Sequence, residues 1–315
     1  MDITGWQENG INAQRAHLSR AELTARLAQA VPEDGVLEPM SGLRLGRASA
    51  PTAVARSVYV PALCVIAQGR KELWLGDERY HYDPDHYLIT TATLPVASQI
   101  TEASPEQPFL TVMLQLDPMV VGSVMVEAGY PAPRDQSSVR AIAVSPLDVE
   151  LLDAIVRLVR LVNASTDTRV LTPLVMREIV YRLLAGSQGE RLRQIAALGG
   201  QKHRIVRVIE QLRTTFDQPL RIEDLAQDLG MSVSGFHHHF KAVTAMSPLE
   251  FQKRLRLQEA RRLMLGEGCD ATSAGFRVGY NDVSHFNRDY KRLFGEPPMR
   301  DIERLRGSGR LNSSP

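Results

Sequence analysis

The chain has 315 residues, more than one average domain of roughly 100–200 residues, so two folded units are expected. Its composition, 43% apolar and 23% charged with only Cys64 and Cys269 as cysteines, excludes a disulfide-stapled scaffold, and no stretch nears the ~18 uninterrupted apolar residues of a membrane helix. The net charge of +1 hides an asymmetry: residues 1–200 carry 18 basic and 22 acidic side chains and residues 201–315 carry 19 and 14, which makes the C-terminal part the candidate for a polyanion partner.

The start, MDITGWQENG, has no basic patch followed by an apolar core, so a cytoplasmic setting is expected. Residues 14–31 place Leu23, Leu27 and Ala30 at helical spacing after Ser19, which predicts an amphipathic helix capped there. From Leu43 to Leu116 the pattern changes to short runs broken by turn residues: PALCVIAQG, KELWLGDERYHYDPD, HYLIT, LPVASQI and FLTVMLQL. The last alternates Leu110, Val112, Leu114 and Leu116 with Thr111, Met113 and Gln115, the period of two of a half-buried strand. Strands at this spacing predict an antiparallel sandwich or small barrel. Beyond Pro118 the chain turns helical, with Leu151, Ile155, Leu158 and Val162 as one apolar stripe. A further helix is expected to start at Thr172 as cap and Pro173 as first residue. These helices either pair across a dimer or fold back on the barrel.

The stretch 219–295 holds an approximate repeat. In IEDLAQDLG, Leu225, Ala226 and Leu229 face a core, Gly230 supplies a tight turn, and Ser232 caps the helix VSGFHHHFKAV. Fifty residues on, SAGFRVG ends at Gly279 and Asp282 caps VSHFNRDYKRLF. Both are helix-turn-helix patterns. At 100° per residue, Phe236, Phe240 and Val243 form a buried stripe, leaving Ser234, His238 and Lys241 outward with His237 on the flank. In the second unit Phe286, Tyr290 and Leu293 are buried while Ser284, Arg288 and Lys291 face out beside Asn287. Arg grips the guanine edge, His, Ser and Asn bond base edges, and Lys neutralises phosphate, so matched faces of this kind predict two helices that read double-stranded DNA. Between them SPLEFQKRLRLQEARRLML opens on Ser247, Pro248 and Glu250, a capping box that starts a long spacer helix. A spacing of about one DNA turn, roughly 34 Å, would let both helices enter successive major grooves. On this helix Arg254 and Arg256, with Lys253, are candidate phosphate contacts alongside Lys241 and Lys291.

The run GMSVSGFHHHFKAVTAMSPLEFQKRLRLQEARRLML, followed by VGYNDVSHFNRDYKRLFGEPP, resembles the AraC/XylS family of transcription regulators over about residues 203–304. The stretch VIAQGRKELWLGDERYHYDPDHYLIT, and onward to LQLDP, resembles the family's AraC-type N-terminal sensor. The resemblance implies a multidomain α+β fold: a cupin-like antiparallel β-barrel with flanking helices, then an all-α domain of two helix-turn-helix subdomains joined by a long helix. The organisation expected is an N-terminal arm and sensor barrel over 1–145, a helical dimerisation or linker region over 146–200, the DNA-binding domain over 201–306 and a disordered tail over 307–315. Carried over by position, the base-reading sites fall on Ser234, His237 and His238, and on Val283, Ser284, Asn287 and Arg288. The partners implied are promoter DNA, a small-molecule effector, a second copy of the chain and, for an activator, RNA polymerase. No catalytic residue, cofactor or metal is expected. Two departures stand out: Gly275 replaces the family's usual Ala, which lowers helix propensity by up to about 1 kcal/mol, and Arg221 replaces a Ser or Thr cap.

His237, His238 and His239 point 100° apart along a helix and cannot converge on one metal ion. The barrel has no H-x-H pair of the kind metal-dependent barrels use; His81 and His86 flank the turn Asp83-Pro84-Asp85. Trp74, Tyr80, Tyr82 and Tyr87 are candidate pocket-lining aromatics, with core packing as the ordinary alternative. A barrel that only dimerises, under control by protein contact, is the competing expectation.

Overall fold

A computed structural model describes residues 3–131, 140–163, 168–196 and 204–310. Its strands form two antiparallel sheets. The larger runs β1 (Gly35–Met40), β2 (Leu43–Ala48), β9 (Phe109–Gln115), β4 (Ala62–Gln68), β7 (His86–Thr90) and β10 (Ile142–Pro146) in spatial order. The smaller runs β3 (Ala55–Tyr59), β8 (Leu94–Glu102), β5 (Arg70–Leu75) and β6 (Glu78–Tyr82).

Strand β4 explains the layering, because six successive residues, Ala62 to Ala67, are buried. Leu63, Val65 and Ala67 belong to a core shared with Leu43, Leu45, Val112 and Leu114, whereas Cys64 and Ile66 belong to another shared with Leu73, Leu75 and Val96. The six-stranded sheet is therefore apolar on both faces, covered by the four-stranded sheet across an open, cupin-like barrel and by helices on the outside. Strand β10 has no counterpart among the alternating runs expected. It is short, ends in Pro146, and is recruited by pairing with β7 from Ile142↔Thr90 to Pro146↔His86.

The outer helices are α1 (Ile3–Ala30), α2 (Pro118–Glu127), α3 (Val149–Arg160), α4 (Thr168–Ala185) and α5 (Gly189–Ala196). Two expected helix starts are corrected. Ser19 lies inside α1 and donates its hydroxyl to Asp153 rather than capping. Helix α4 begins at Thr168, so Thr172 is no cap and Pro173 sits within the helix. Burial of Ile179, Val180, Leu183 and Leu184 holds that helix despite the backbone bond the proline forfeits. Charge pairs fasten α1 to α3: Arg15 to Glu150 at 2.9 Å and to Asp153 at 2.7 Å, and Arg160 to Glu22 at 2.6 Å.

The C-terminal helices are α6 (Arg204–Thr214), α7 (Ile222–Asp228), α8 (Val233–Thr244), α9 (Pro248–Gly266), α10 (Ala271–Arg277), α11 (Val283–Phe294) and α12 (Pro298–Arg310). Helix α12 thus reaches into the expected tail, whose residues 311–315 lie outside the described residues. The apolar core around α6–α8 is continuous with the barrel interior, whereas Leu257, Ala260, Leu263, Met264, Ala274, Val278, Phe286, Tyr290 and Ile302 belong to a separate one.

A polar seam joins the barrel and the C-terminal helices. The Arg140 guanidinium donates to the carbonyls of Lys241 (2.9 Å) and Ala242 (2.6 Å), the Ala141 amide to Val243 (3.2 Å), and Gln258 Nε2 to the Ser57 carbonyl (3.0 Å). Gly76, at a hairpin tip, lies so near Ala245 that a Cβ would stand 2.6 Å from its carbonyl oxygen. Among the described residues no helix is long and apolar enough to cross a membrane.

Candidate nucleic-acid interface

Each unit is fixed at its turn by local chemistry. Gly230 and Gly279 take φ of 60° and 86°, a region that side-chain-bearing residues avoid. Ser232 accepts from the Gly235 amide at 3.1 Å, and Asp282 from the His285 amide at 2.6 Å, closing the first turns of α8 and α11. Arg221 supplies no such bond to α7, as its side chain predicts. Beneath α8, the rings of Phe236 and Phe240 lie 5.7 Å apart and Phe240 meets Phe251 edge-on at 5.4 Å. Beneath α11, Phe286 meets Tyr280 at 5.4 Å and Tyr290 at 5.6 Å. Leu293, expected in the same stripe, is only half-buried.

Gly275 has a steric role. Its Cβ would stand 3.1 Å from Cγ of the fully buried Phe286, so α10 and α11 approach as closely as they do because the side chain is missing. The glycine that lowers the propensity of α10 is the residue that lets the unit pack.

The opposite surfaces carry the predicted readers. Ser234, His238 and Lys241 are exposed on α8, and His237 is half-buried with its ring edge against Phe236. On α11, Ser284, Asn287, Arg288 and Lys291 are exposed and Val283 is half-buried. Charge pairing separates these residues from the surrounding arginines. Arg261 binds Asp301, Arg262 binds Glu259, Arg277 binds Glu267 and Arg292 binds Asp289. Lys241, Arg288 and Lys291 have no ion pair or hydrogen bond from their side chains among the described residues.

Both spacer arginines have partners within the protein. Arg256 donates to the carbonyls of Phe216 (2.6 Å), Gly279 (2.8 Å) and Gln218 (2.9 Å), so its guanidinium is a corner post between the two units and not a free phosphate ligand. Burial pulls its pKa below the ordinary guanidinium value. Arg254 is bonded to Glu250 at 3.0 Å. A polar groove of about 790 Å³ between the spacer helix and the second unit is lined by Lys253, His285, Arg288 and Arg292 together with Glu250 and Asp289. Helical spacing alone hides this flank of α11, since His285, Asp289 and Arg292 form it only where they meet the spacer helix.

The four barrel aromatics do not converge. Tyr82 is buried in the barrel interior, where burial raises its pKa. Tyr87, on β7 of the six-stranded sheet, belongs to the helix-covered core. Trp74 packs under Arg79, and the Tyr80 hydroxyl donates to Glu78, which also pairs with Arg140 at the seam. Alternation puts Tyr80 and Tyr82 on one face of β6 and Trp74 on the other face of that sheet, while Tyr87 belongs to the other sheet. His81 stands against Glu72 and His86 against Asp83 at 2.8 Å.

Residues 39–191 match the family model described as AraC-type transcriptional regulator N-terminus, and residues 225–304 match that of a helix-turn-helix domain. Among curated relatives, the HTH-type transcriptional regulator ArgR of Pseudomonas aeruginosa is 22% identical over 43% of this chain and 41% of its own length. The thermoregulatory protein LcrF of Yersinia pestis is 26% identical over 56% and 64% respectively, and the HTH-type transcriptional activator RhaS of Klebsiella pneumoniae 30% over 33% and 37%. The alignments therefore span less than two thirds of each relative. Among solved structures, unsaturated fatty acid bound ToxT of Vibrio cholerae shares the fold, with a TM-score of 0.53 at 10% identity over 84% of this chain and 96% of that one.

Proposed function

The chain belongs to the AraC-type transcriptional regulators, and on that premise we propose that it binds promoter DNA sequence-specifically through α8 and α11 under control of a small molecule held by the N-terminal unit. The observation that carries the DNA reading is the pair of matched outward faces whose cations have no partner among the described residues while neighbouring arginines do. Ser234, His237, His238, Val283, Ser284, Asn287 and Arg288 face base edges, and Lys241 and Lys291 face phosphate. The solved ToxT structure of the same fold is bound to an unsaturated fatty acid, which supports a small-molecule effector for this chain. The protein acts as a regulator and not as an enzyme, in the cytoplasm, and contacts RNA polymerase where it activates.

A second copy completes the functional unit. Met119 (82% exposed) and Val126 (74%) on α2 join Val170 (68%), Leu174 (58%) and Tyr181 (50%) on the adjoining α4 as exposed apolar side chains, and an isologous dimer would cover them.

Selection of duplexes from a random pool by the full chain tests the DNA reading. Arg288→Ala should cost about 1–3 kcal/mol and relax preference at one or two base pairs, whereas Lys241→Ala should weaken all sequences alike and reduce the salt slope by about one. A chain that prefers no duplex over random competitor at moderate salt refutes it. Sedimentation of Leu174→Glu, expected to be monomeric, tests the dimer.

A further inference from the structure

One cleft belongs to both halves of the molecule. Its barrel wall comes from three connections at one end of the sheets: Val60 and Pro61 between β3 and β4, Thr93 between β7 and β8, and Leu116 and Pro118 after β9. Its other wall is one face of α6, the first described helix of the reader, bearing Arg207, Glu210 and Arg213. The cavity measures about 570 Å³, within the several-hundred-Å³ range of small-molecule pockets.

The charges on α6 are unequal. Glu210 is satisfied at both oxygens: the Thr93 hydroxyl donates to Oε1 at 2.6 Å and Arg213 Nε to Oε2 at 2.8 Å. Its negative charge is neutralised by Arg213 on the same helix, and the neutral Thr93 hydroxyl bonds it from the barrel side. Arg207, one turn earlier, is exposed and has no hydrogen bond or ion pair from its side chain among the described residues. What remains is one uncompensated guanidinium beside an apolar wall of Val60, Pro61, Leu116 and Pro118. A planar fork of donors next to apolar surface suits a carboxylate with a hydrocarbon or aromatic body.

We propose that this cleft between the barrel ends and α6 binds a small amphipathic organic acid, its carboxylate on Arg207 and its apolar body against Pro61 and Leu116. The proposal rests on the effector reading above and gives it a place and a chemical class. Because the two walls belong to different units, the acid binds only where the barrel and α6 stand at the right separation, and so favours one arrangement of reader against sensor.

The test is calorimetric titration of the full chain with octanoate, decanoate, benzoate and 4-phenylbutyrate, beside the uncharged amide of each acid. At least one acid is expected to bind with micromolar to millimolar affinity and at least tenfold more tightly than its amide. Arg207→Gln should weaken that acid at least tenfold and Arg207→Lys less, both variants melting without ligand as the wild type does. Pro61→Asp, which places a carboxylate on the opposite wall, should weaken it as well. No binding by any of the four acids, equal binding of acid and amide, or binding unmoved in both Arg207→Gln and Pro61→Asp overturns the proposal. Duplex selection by the same preparation separates the two failures: a chain that selects DNA but binds no acid loses the cleft alone, and one that does neither loses the regulator reading too.

Discussion

Asp301→Asn should detach the second helix-turn-helix from the fold while leaving the first in place. Asp301 is fully buried and receives Arg261 Nε and Nη2 at 2.8 Å each, the Tyr290 hydroxyl at 2.9 Å, and Arg304. One carboxylate thus ties α9, α11 and α12. Removing its charge leaves Arg261, whose side chain is only 16% exposed, without a counter-ion. Breaking one partner of a buried pair costs about 3–5 kcal/mol, and because Asn keeps the volume and one acceptor the lower figure, about 3 kcal/mol, applies. A cooperative unit of ~50 residues commands roughly 2.5–7.5 kcal/mol, so the loss is comparable to the whole local stability. Since this unit has its own core, the damage should stay there. Hydrogen exchange of the variant should show protection lost over 271–306 and kept over 205–245. Its footprint on a selected duplex should shorten by about one turn, ~10 base pairs. Uniform loss of protection in both units, or a stability within about 0.5 kcal/mol of wild type, the ordinary range of a surface substitution, would refute the reasoning.

Three further outcomes follow from the same geometry. The bond from Arg160, with that from Arg26, holds Glu22 down to about 2, so its contribution is complete above the ordinary glutamate value of about 4.5 and disappears as pH falls toward 2; the Tm gap between wild type and Glu22→Gln should close across that window. Burial pushes the Cys64 thiol up to about 12, and brief native alkylation at pH 8 followed by peptide mass analysis should find label on the half-buried Cys269 alone. Gly275→Ala gains about 1 kcal/mol of helix propensity. It also presses a methyl onto Phe286, held between Tyr280 and Tyr290, an overpacking worth about 1–3 kcal/mol, so the melting temperature should fall.

The parts legible in the sequence are those governed by short-range chemistry. Ser232 and Asp282 cap α8 and α11 because an oxygen three residues before an amide suffices, and the Phe/Tyr spacing fixes which face is free. Strand alternation in FLTVMLQL likewise gives the strand, but not which of the two cores Val112 joins; its burial under helices follows from a sheet covered on both sides. Side chains whose partners are remote in sequence were not legible. Arg256 places its donors on carbonyls of residues 216, 218 and 279, and Tyr80 and Tyr87, in neighbouring runs, meet different surroundings because β6 and β7 join different sheets. The glycine at 275 reads only as a weak helix former until its neighbour Phe286 is in place.

The grip of Arg140 and Ala141 on the last turn of α8 makes the two readers unequal in mobility. The first is docked on the barrel in this arrangement, its carbonyl ends held by Arg140 and Ala141 and its core continuous with the barrel interior. The second rides at the far end of α9 with a core of its own, so any tilt of that rod is magnified there. An operator bound by this protein would therefore be anchored at one half-site and gauged at the other, with tolerance for altered spacing or curvature concentrated where α11 enters.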